Sequence, residues 1–487
     1  MLKEIEAVRA KLQKKIEDRE QKLNGLMDMC RERWDVNWYG YEKYQDEYNK
    51  RSAKLEKELK QLADIIAQSR DEAQMTVITG RRRIGKTELA MHCGDQTILY
   101  FFVARKTERL LCQDFAREVE EKLGVPIGWP DSFASLFRYV MKLSQTRPFT
   151  IIIDEFQEFV RVNPAVFSEI QREWDLNKRD SHLNLIISGS VFTLMKRIFE
   201  DYKEPLFGRA NNQIHMRPFS TDVIKNILKD HNEEYTNEDL LTLFTITGGV
   251  PWYVALLMDK GHVTKNGMLG YLTEDNSPFI NEGKNMLIEE FGPDYGMYFS
   301  ILTCIAGGMR TRGEIEGELR EKNISSYLDK LERYYGLITR SLPIFAKETS
   351  KKSKYRLSDN FLTLWFRFFY KYQAIIANDA LSQLDTIIRR DYETVAGFML
   401  ERYFERKLRE TGRFTRIGGY WDRKGENEID LIAVNEIEGT AEVYEVKMRS
   451  KRYSDTSLCS KIEHLVQNCK ELQGMKITHG VLSLEDM

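Results

Sequence analysis

Apolar side chains in residues 1–70 recur at steps of three and four, as at Leu55, Leu59, Leu62 and Ile66. Steps of this length place one stripe of hydrophobic groups along a helix. The pattern predicts a helical extension at the amino end. It favours a structural extension over a coiled-coil dimerisation arm.

Residues 75–253 change to short apolar runs that alternate with amphipathic segments. The runs are MTVIT (75–79), TILYFFV (97–103), FTIIID (149–154) and LNLIIS (183–188). Such runs, bounded by helical sequence, are typical of buried parallel strands joined by crossover helices. The pattern therefore predicts an α/β domain with a parallel sheet.

Beyond residue 296 the pattern changes twice more. A mainly helical stretch runs to about residue 370 and contains a short apolar hairpin near 337–345 and 354–359. From about residue 391 the order becomes helix, strand, strand, strand, helix, strand. These changes predict two further domains after the α/β domain.

Composition narrows the classes of protein that fit these elements. The chain has 487 residues with 73 Lys and Arg against 75 Asp and Glu, which gives a formal net charge of -2. A hydrophobic share of 42% excludes a mainly disordered chain, and the balanced charge excludes a uniformly basic nucleic-acid binder. A basic patch on one domain stays open.

The sequence also bears on membranes and metals. It has no run of about 18 apolar residues, and its mean hydropathy is -0.48, so we expect no membrane association. The first residues lack an apolar export signal, which predicts a cytoplasmic protein. Cys459, His464 and Cys469 lie near one another in the sequence without an evident fourth ligand, so we expect reduced cysteines and no zinc module.

The segment GRRRIGKT, from Gly80 to Thr87, satisfies the pattern G-x-x-x-x-G-K-[ST] between a predicted strand and a predicted helix. Gly80 and Gly85 permit the backbone to approach phosphates closely. Lys86 can reach the β- and γ-phosphates of ATP as a catalytic residue, and Thr87 offers its hydroxyl to Mg²⁺. The residues predicted to contact the nucleotide here are Gly80, Arg81, Arg82, Arg83, Ile84, Gly85, Lys86, Thr87 and Glu88.

Two acids end the apolar run at 149–154. Asp154 would lie at the carboxyl edge of a buried strand, where Mg²⁺ beside the γ-phosphate needs a carboxylate. Glu155, the next residue, can polarise the attacking water as a general base. We therefore predict Asp154 as a catalytic metal ligand and Glu155 as a catalytic residue.

Two later segments fit the same site. Ser188 and Ser190 follow the next apolar run, where either hydroxyl can sense the γ-phosphate or form a turn beside Gly189. We take Ser188 as the nucleotide contact. Arg209, on the turn PLFGR, is a candidate catalytic arginine finger, with a plain surface arginine as the alternative.

The segments GRRRIGKTEL, IIIDEFQ, LIISGSV, PLFGR and TGGVPWY occur in this order along the chain. Together they resemble the prokaryotic archaeal-ATPase group, which belongs to the signal-transduction ATPases with numerous domains (STAND) within the AAA+-like P-loop class. The resemblance covers about residues 75–487 and implies an ATP-binding core, a helical lid and a winged helix. It also implies that Pro251, in a Gly-x-Pro turn that ends the lid, contacts the nucleotide.

The mainly helical stretch reads as three helices and a hairpin, which is the order of a winged helix. Asn323 or Ser325 would cap the third helix, and the basic residues of 347–354 would contact DNA phosphates. Asp329 and Glu332 in the same segment weaken such a surface. A protein-binding or autoinhibitory winged helix is therefore the alternative.

The last block carries a cluster of acids and a lysine. Asp430 lies in the predicted strand EIDLIAVN, and Glu445 and Lys447 lie two residues apart on the next strand, which places both on one face. A hairpin would bring Asp430 and Glu445 together as catalytic ligands of Mg²⁺, with Lys447 beside the attacking water. Glu401 on the preceding helix offers a further metal ligand.

This order of helix, Asp strand, Glu-x-Lys strand, helix and strand resembles the PD-(D/E)xK, or restriction-endonuclease-like, fold. The resemblance implies metal-dependent cleavage of DNA. The proline of the family name is absent before Asp430, and the choice between Glu428 and Asp430 stays open.

The predicted organisation has five segments: a helical extension (1–70), a P-loop ATPase core (71–220), a helical lid (221–296), a winged-helix domain (297–375) and a PD-(D/E)xK nuclease-like domain (376–487). The expected function is ATP hydrolysis coupled to a winged helix and to DNA cleavage that requires Mg²⁺. The alternative is an ATP-dependent regulatory switch that binds DNA or a protein without cleaving it. A third hypothesis is an oligomerisation factor, with a second copy of the chain as the partner.

Overall fold

The computed structural model describes residues 58–92, 97–190, 192–291, 295–422 and 425–487. Most of the predicted helical extension, residues 1–57, lies outside these ranges. Residues 58–69 form helix α1. Its buried Leu62, Ile65 and Ile66 pack with isoleucines of the first sheet, so this helix covers part of one face of that sheet.

The predicted apolar runs form a five-stranded parallel sheet. Its strands are β1 (Gln74–Thr79), β2 (Ile98–Phe102), β3 (Phe149–Asp154), β4 (Leu183–Ser188) and β5 (Asn212–His215), in the order β2-β3-β4-β1-β5. The register places Phe102 opposite Asp154 and Ile78 opposite Ser188. The carboxyl ends of β1, β3 and β4 therefore meet at one edge of the sheet. The predicted parallel α/β sheet is confirmed.

Helices pack on this sheet between the strands. They are α2 (Lys86–Met91), α3 (Glu108–Leu123), α4 (Phe133–Ser144), α5 (Phe159–Val162), α6 (Val166–Asn177) and α7 (Phe192–Glu200). Phenylalanine rings fill the core on the face that α3 and α4 cover, with the Phe115 ring 4.4 Å from that of Phe101 and 6.0 Å from that of Phe133. This packing holds β2 and β3, and thus their carboxyl ends, in place.

A helical region follows. It begins with α8 (Thr221–His231), α9 (Asn237–Thr247), α10 (Pro251–Asp259), α11 (Lys265–Tyr271) and α12 (Phe279–Phe291). It continues with α13 (Gly296–Ala306), α14 (Arg312–Leu319) and α15 (Ser325–Asp329), then the antiparallel hairpin of β6 (Ile338–Ser341) and β7 (Lys354–Leu357). The predicted order of helices and hairpin is confirmed.

The predicted cap of α15 is wrong. Ile324 occupies the N-cap position, so neither Asn323 nor Ser325 caps the helix with its side chain. Glu316 Oε1 on α14 accepts hydrogen bonds from the backbone N–H groups of Asn323 (3.2 Å) and Ile324 (3.4 Å) instead. A residue outside the helix therefore satisfies backbone donors just before its first turn.

The last part of the chain contains α16 (Asn360–Leu364), α17 (Gln373–Ala377), α18 (Leu381–Glu410), β8 (Arg416–Tyr420), β9 (Ile429–Asn435), β10 (Thr440–Lys447), α19 (Asp455–Asn468) and β11 (Lys476–Ser483). The second sheet has the order β11-β10-β9-β8, in which only the β10 and β11 pair is parallel. The predicted order of this block is confirmed.

One hydrophobic cluster joins the helices from α8 to α18 with buried residues of the second sheet, such as Leu431 and Val446. The second sheet and α19 add a smaller cluster of their own, which contains Leu458 and Leu465. The helical region and the second sheet are thus packed together by apolar contacts. None of the helices in the described ranges has the length and apolarity that a bilayer-spanning helix needs.

Candidate functional site

The loop between β1 and α2 is held in one conformation by two glycines and a buried isoleucine. Gly80 has a φ of 152°, and a Cβ atom there would lie 2.9 Å from the carbonyl oxygen of Met216. Gly85 has a φ of 90°. Ile84 is buried and anchors the loop. These positions require glycine because L side chains rarely adopt such angles.

Lys86 lies inside this loop. Its Nζ donates hydrogen bonds to the carbonyl oxygens of Gly80 (3.0 Å) and Arg81 (2.9 Å). Burial lowers the pKa of Lys86, although the charges of Glu155 and Asp154 act in the opposite direction. The ammonium group is thus close to two acids and to the backbone that would surround phosphates.

Asp154, at the end of β3, accepts hydrogen bonds from three hydroxyl groups. Thr87 Oγ1 donates to Oδ2 at 2.7 Å, and Ser188 Oγ donates to Oδ1 at 2.5 Å. Tyr100 on β2 donates its hydroxyl to Oδ2 at 2.9 Å. Burial and the charge of Asp154 raise the pKa of Tyr100. The structure therefore brings together Thr87, Asp154 and Ser188, and it adds a tyrosine.

Sequence reasoning missed Tyr100. It stands in the middle of the apolar run TILYFFV, where it reads as a core residue. Its hydroxyl reaches Asp154 because β2 and β3 are parallel neighbours, and no local sequence signal reports that pairing.

Glu155 has a backbone φ of 55°, which turns the chain sharply after β3. Its carboxylate accepts hydrogen bonds from Ser190 Oγ at 2.7 Å and from the side-chain amide of Gln157. Ser188 and Ser190 are therefore divided between the two acids, Asp154 and Glu155. Both serine hydroxyls thus donate hydrogen bonds to acids that are predicted site residues.

Two arginines of the loop between β1 and α2 (residues 80–85), called the P-loop, contact helices far along the chain. Arg83 donates to Glu282 on α12 from Nε (2.5 Å) and from a terminal nitrogen (2.8 Å), and its guanidinium lies 3.6 Å from the ring centroid of Trp252. Arg81 forms a salt bridge with Asp359, which caps α16. The P-loop is thus tied to helices far along the chain by charge-assisted hydrogen bonds.

Pro251 is the first residue of α10. The turn before it contains Gly248 and Gly249, with φ values of 55° and 81°. Trp252, the next residue, lies on Arg83, which brings this turn to the P-loop. The turn lies between α9 and α10, within the segment 221–296.

Two predicted residues lie apart from these groups. Glu88 is exposed on α2, with its carboxylate 3.5 Å from His92. Arg209 forms a salt bridge with Asp175 at 3.1 Å. Two residues later, Asn211 Oδ1 accepts a hydrogen bond from the backbone N–H of Met75 near the start of β1. Because the P-loop follows the other end of β1, Arg209 lies at the opposite edge of the sheet. It is therefore far from the loop between β1 and α2.

Arg82 lines a cavity of about 500 Å³ together with Arg81 and Ser190. The opposite wall comes from α9, α16 and α18, and it carries further arginines such as Arg402 and Arg406. The P-loop therefore borders a partly open cavity whose other wall is formed by α9, α16 and α18.

The second candidate site lies on β9 and β10. Lys447 Nζ lies 3.1 Å from Asp430 Oδ2 and 2.5 Å from Glu445 Oε2, and the backbone N–H of Val446 donates to Asp430 Oδ2 at 2.8 Å. The predicted hairpin thus brings Asp430, Glu445 and Lys447 together. Lys461 on α19, which sequence reasoning missed, bonds Glu445 Oε1 at 2.5 Å.

Burial and neighbouring charges shift the pKa values of Glu445 and Glu401. Burial acts to raise the pKa of Glu445, but hydrogen bonds from Lys447 and Lys461 outweigh it and lower the pKa. At Glu401, on α18, burial and the charge of Asp430 raise the pKa to about 7. Within the described part of the chain, the three acids do not form a set whose ligand atoms all lie within 4.8 Å. Lys447 contacts both Asp430 and Glu445.

Glu428, the alternative to Asp430, points to the β6–β7 hairpin. Lys354 on β7 bonds its carboxylate at 2.8 Å. Trp421 donates from Nε1 to the carbonyl of Lys352 at 2.8 Å, and Ile344 donates its backbone N–H to Gly419 at 2.8 Å. Of the two acids, Asp430 is the one that contacts Lys447.

These contacts place the β6–β7 hairpin over the acid cluster. Glu401, Glu428 and Asp430 line a cavity of about 350 Å³ whose other walls include Arg340 and Lys354 of the hairpin. The hairpin therefore forms one wall of the cavity that Glu401, Glu428 and Asp430 line.

Comparison with known proteins agrees with the first site. Residues 55–257 match a family described as an ATPase domain predominantly from Archaea, and residues 365–458 match archaeal and bacterial proteins of unknown function. An uncharacterized protein of Methanocaldococcus jannaschii is 29% identical over 410 residues, which cover 82% of this chain and 88% of that protein. The chain therefore carries an archaeal-type, ATP-binding ATPase domain that contains the P-loop site.

Three solved structures share parts of the fold. A Walker-type ATPase of Pyrococcus abyssi is 17% identical, with a TM-score of 0.47, over 63% of this chain and 95% of its own. ORC2 of Aeropyrum pernix is 14% identical, with a TM-score of 0.41, over 67% of this chain and 95% of its own. Cdc6p of Pyrobaculum aerophilum is 16% identical, with a TM-score of 0.33, over 68% of this chain and 94% of its own.

Proposed function

We propose that this chain couples ATP hydrolysis at the edge of the first sheet to Mg²⁺-dependent DNA cleavage by its C-terminal domain. The observation that carries the ATPase part is the 2.7 Å hydrogen bond from Thr87 Oγ1 to Asp154 Oδ2. It joins the P-loop hydroxyl to the acid at the end of β3, and both oxygens are hard ligands that suit Mg²⁺ beside a γ-phosphate.

Each residue of this centre has a distinct proposed role. Lys86 binds the β- and γ-phosphates, and Glu155 polarises the attacking water while Ser190 holds its carboxylate. Ser188 orients Asp154. The contact between Trp252 and Arg83 supports a nucleotide contact by the adjacent Pro251 turn. Arg209 can serve only the site of another copy of the chain.

Steady-state ATP hydrolysis tests this centre. Lys86→Ala and Asp154→Asn each remove a charge that faces the phosphates or the metal, so we expect losses of about 100-fold or more. Glu88→Ala is the matched control because Glu88 lies on the same helix but is exposed, and it should hydrolyse ATP at the wild-type rate. Unchanged hydrolysis by Lys86→Ala would show that the site is misassigned.

For the rest of the chain we propose a helical lid in 221–296, a winged-helix domain in 297–375 and a PD-(D/E)xK nuclease domain in 376–487. Three helices followed by an antiparallel hairpin support the winged helix. A helix, the Asp430 strand, the Glu445 strand, a helix and a final parallel strand support the nuclease domain.

The proposed nuclease chemistry rests on the position of Lys447. Its ammonium lies between the carboxylates of Asp430 and Glu445, where a divalent cation would satisfy the same charges. The donor set of carboxylate oxygens suits Mg²⁺, which would activate water and stabilise the charge on the scissile phosphate. Lys447, moved aside but still close, would orient the attacking water, and Glu401 would be the additional acid.

Substitution of the two acids separates the two proposed activities. Asp430→Ala and Glu445→Ala should abolish Mg²⁺-dependent DNA cleavage, while ATP hydrolysis continues. Glu442→Ala is the control, because Glu442 lies on the same strand but bonds Arg413 on the other face. Cleavage that survives in the Asp430 and Glu445 variants would refute the nuclease assignment without affecting the ATPase.

A short path of contacts supports coupling between the two sites. Arg81 of the P-loop binds Asp359, which follows β7 by two residues. Lys354, at the start of β7, binds Glu428 beside Asp430. In this proposal nucleotide binding changes the Arg81 contact and shifts the β6–β7 hairpin relative to the acids. Such a switch needs only a different affinity of the two states for nucleotide.

The second candidate function is an ATP-dependent switch whose nuclease-like domain does not cut DNA. The observation that favours it is the neutralisation of the acids by lysines, with Lys447 and Lys461 on Glu445 and Lys354 on Glu428. Cleavage assays on single- and double-stranded DNA, with and without ATP, distinguish the two. DNA binding without any Mg²⁺-dependent product would favour the switch.

A further inference from the structure

A group of side chains of the kinds that bind metals lies where α19 meets β11 of the second sheet. Asp455 and Cys459 are one helical turn apart at the start of α19, so both face the same direction. His479 comes from β11, the edge strand of the sheet. All three are at least partly exposed, and their ligand atoms lie within 4.8 Å of one another.

The distances among these atoms are close to those around one tetrahedral ion, with Asp455 offering Oδ2 towards Cys459 and Oδ1 towards His479. Cys459 Sγ lies 3.5 Å from His479 Nε2 and 3.9 Å from Asp455 Oδ2, and His479 Nε2 lies 3.2 Å from Asp455 Oδ1. Bonds of about 2.0 Å to oxygen and nitrogen and about 2.3 Å to sulfur place tetrahedral ligand atoms roughly 3.3–3.7 Å apart. The side chains therefore need little movement to bind an ion.

The chemistry of the donors selects the kind of ion. A thiolate and an imidazole are poor ligands for Mg²⁺ and Ca²⁺, which prefer oxygen, but they are common ligands of Zn²⁺. An ionised thiolate and a carboxylate would also balance the charge of a divalent ion. Tyr453 donates its hydroxyl to Asp455 Oδ1 at 2.6 Å, and such a bond orients a ligating carboxylate.

We propose that Asp455, Cys459 and His479 form a zinc site, separate from the Mg²⁺ sites proposed above, with a fourth position open to water. The ion would join the start of α19 to β11. Lys461, which bonds Glu445 at the acid cluster, lies two residues after Cys459 on the same helix. The site therefore also fixes the helix end that carries this lysine.

The proposal replaces the expectation that the chain has no zinc module. The sequence groups Cys459 with His464 and Cys469 because they are close along the chain. In the fold, Cys469 is buried at the other end of α19, whereas His479 approaches Cys459 from the neighbouring strand. The sequence does not reveal the pair of Cys459 and His479, because their contact depends on how α19 packs on the second sheet.

Cobalt titration of the full-length protein tests the site. After removal of metal with a chelator, Co²⁺ should bind as one ion per chain, with a thiolate-to-cobalt charge-transfer band and the intense visible bands of tetrahedral coordination. Excess Zn²⁺ should displace it, and excess Mg²⁺ should not. Proton release should accompany binding because the thiol must ionise.

Variants identify the ligands. Cys459→Ser should abolish the charge-transfer band, and His479→Ala and Asp455→Ala should weaken Co²⁺ binding about 10-fold or more. Cys469→Ala and His464→Ala are controls that should bind like the wild type. Zn²⁺ should raise the melting temperature of the wild type and not of Cys459→Ser.

Two results would overturn the proposal. The first is a charge-transfer band that persists in Cys459→Ser. The second is wild-type protein that binds no Co²⁺ at micromolar concentrations, which would mean that the contact is a plain ion pair between Asp455 and His479. Retained folding of Cys459→Ser, measured by circular dichroism, separates loss of metal from loss of structure.

Discussion

At the scale of single residues, Asp154 is the centre of the proposed ATP site because both of its oxygens accept hydrogen bonds. Oδ2 takes the hydroxyls of Thr87 and Tyr100, and Oδ1 takes Ser188 and the backbone N–H of Glu155. Four donors from separate places in the chain fix the direction of one carboxylate. Preorganisation of this kind is what a metal ligand in a catalytic centre requires.

The hydroxyl of Tyr100 gives the first prediction. Tyr100→Phe removes one of the donors but no proposed metal ligand, so ATP hydrolysis should fall by about 2- to 10-fold. Thr87→Ala removes a donor and a proposed ligand, so its loss should be larger and should include a higher requirement for Mg²⁺. Hydrolysis rates over a range of Mg²⁺ concentrations measure both. A larger loss in Tyr100→Phe than in Thr87→Ala would contradict the assigned roles.

Glu401 gives a prediction about pH. Its pKa is raised to about 7 in the fold from an ordinary value of 4.5. Between pH 4.5 and about 7, Glu401 keeps its proton in the folded protein but loses it in the unfolded chain. The free energy of unfolding therefore falls as the pH rises through this range. Glu401→Gln removes this decrease. The stability of the variant minus that of the wild type should therefore be about 1–3 kcal/mol larger at pH 8 than at pH 4, after allowance for solvent screening.

Denaturant unfolding of both proteins in a chelating buffer, at pH 4 and at pH 8, gives this comparison. The readout is the change in the stability difference with pH, since Gln also alters local hydrogen bonds at every pH. A difference that is the same at both pH values would show that Glu401 titrates normally.

At the scale of elements, the turn between α9 and α10 connects the helical region to the P-loop. Gly249 has a φ of 81°, and a Cβ atom there would lie 2.6 Å from the carbonyl oxygen of Phe219. Arg406 on α18 donates to the carbonyl of Gly248 at 2.8 Å and also bonds that of Phe219. The turn is therefore fixed by its own backbone and by the long helix of the C-terminal block.

Gly249→Ala should destabilise the protein by about 1–3 kcal/mol because the methyl group meets backbone and the φ angle is strained. Gly313→Ala on α14 is the matched control, since nothing lies within 4 Å of a Cβ atom there. It should stabilise the protein by roughly 0.5–1 kcal/mol through helix propensity. Chemical denaturation measures both, and equal effects of the two substitutions would contradict this description of the turn.

The elements differ in how far the sequence predicts them. The runs that became β1 to β4 are apolar enough to identify, whereas β5 is four residues long with only Ile214 buried, too little for a pattern. The cap of α15 could not be predicted because the bond comes from Glu316, seven and eight residues before the groups that it satisfies. Local motifs predicted Lys86, Thr87 and Asp154 as neighbours.

At the scale of the whole molecule, contacts between distant segments decide what surrounds each site. Arg83 meets Glu282, and Arg81 meets Asp359, across 199 and 278 positions of sequence. Neither acid belongs to a motif, so only the packing of α12 and α16 near the P-loop reveals them. The same holds for Lys354, which joins the β6–β7 hairpin to Glu428.

The position of this hairpin gives the last of these predictions. Lys354→Ala combined with Trp421→Ala removes the salt bridge to Glu428 and the hydrogen bond to the carbonyl of Lys352. If the hairpin restrains the proposed nuclease, the double variant should cleave DNA several-fold faster without ATP. Lys351→Ala, an exposed lysine of the same loop, should behave like the wild type. Equal cleavage by all three proteins would argue against restraint by the hairpin.

The most direct test of the central claim is a Mg²⁺-dependent DNA cleavage assay, with and without ATP, on the wild type, Lys86→Ala and Asp430→Ala. Coupling predicts that ATP changes cleavage by the wild type and does not change cleavage by Lys86→Ala. Asp430→Ala should hydrolyse ATP but leave DNA intact. An ATP response that persists in Lys86→Ala, or cleavage that persists in Asp430→Ala, would contradict the account.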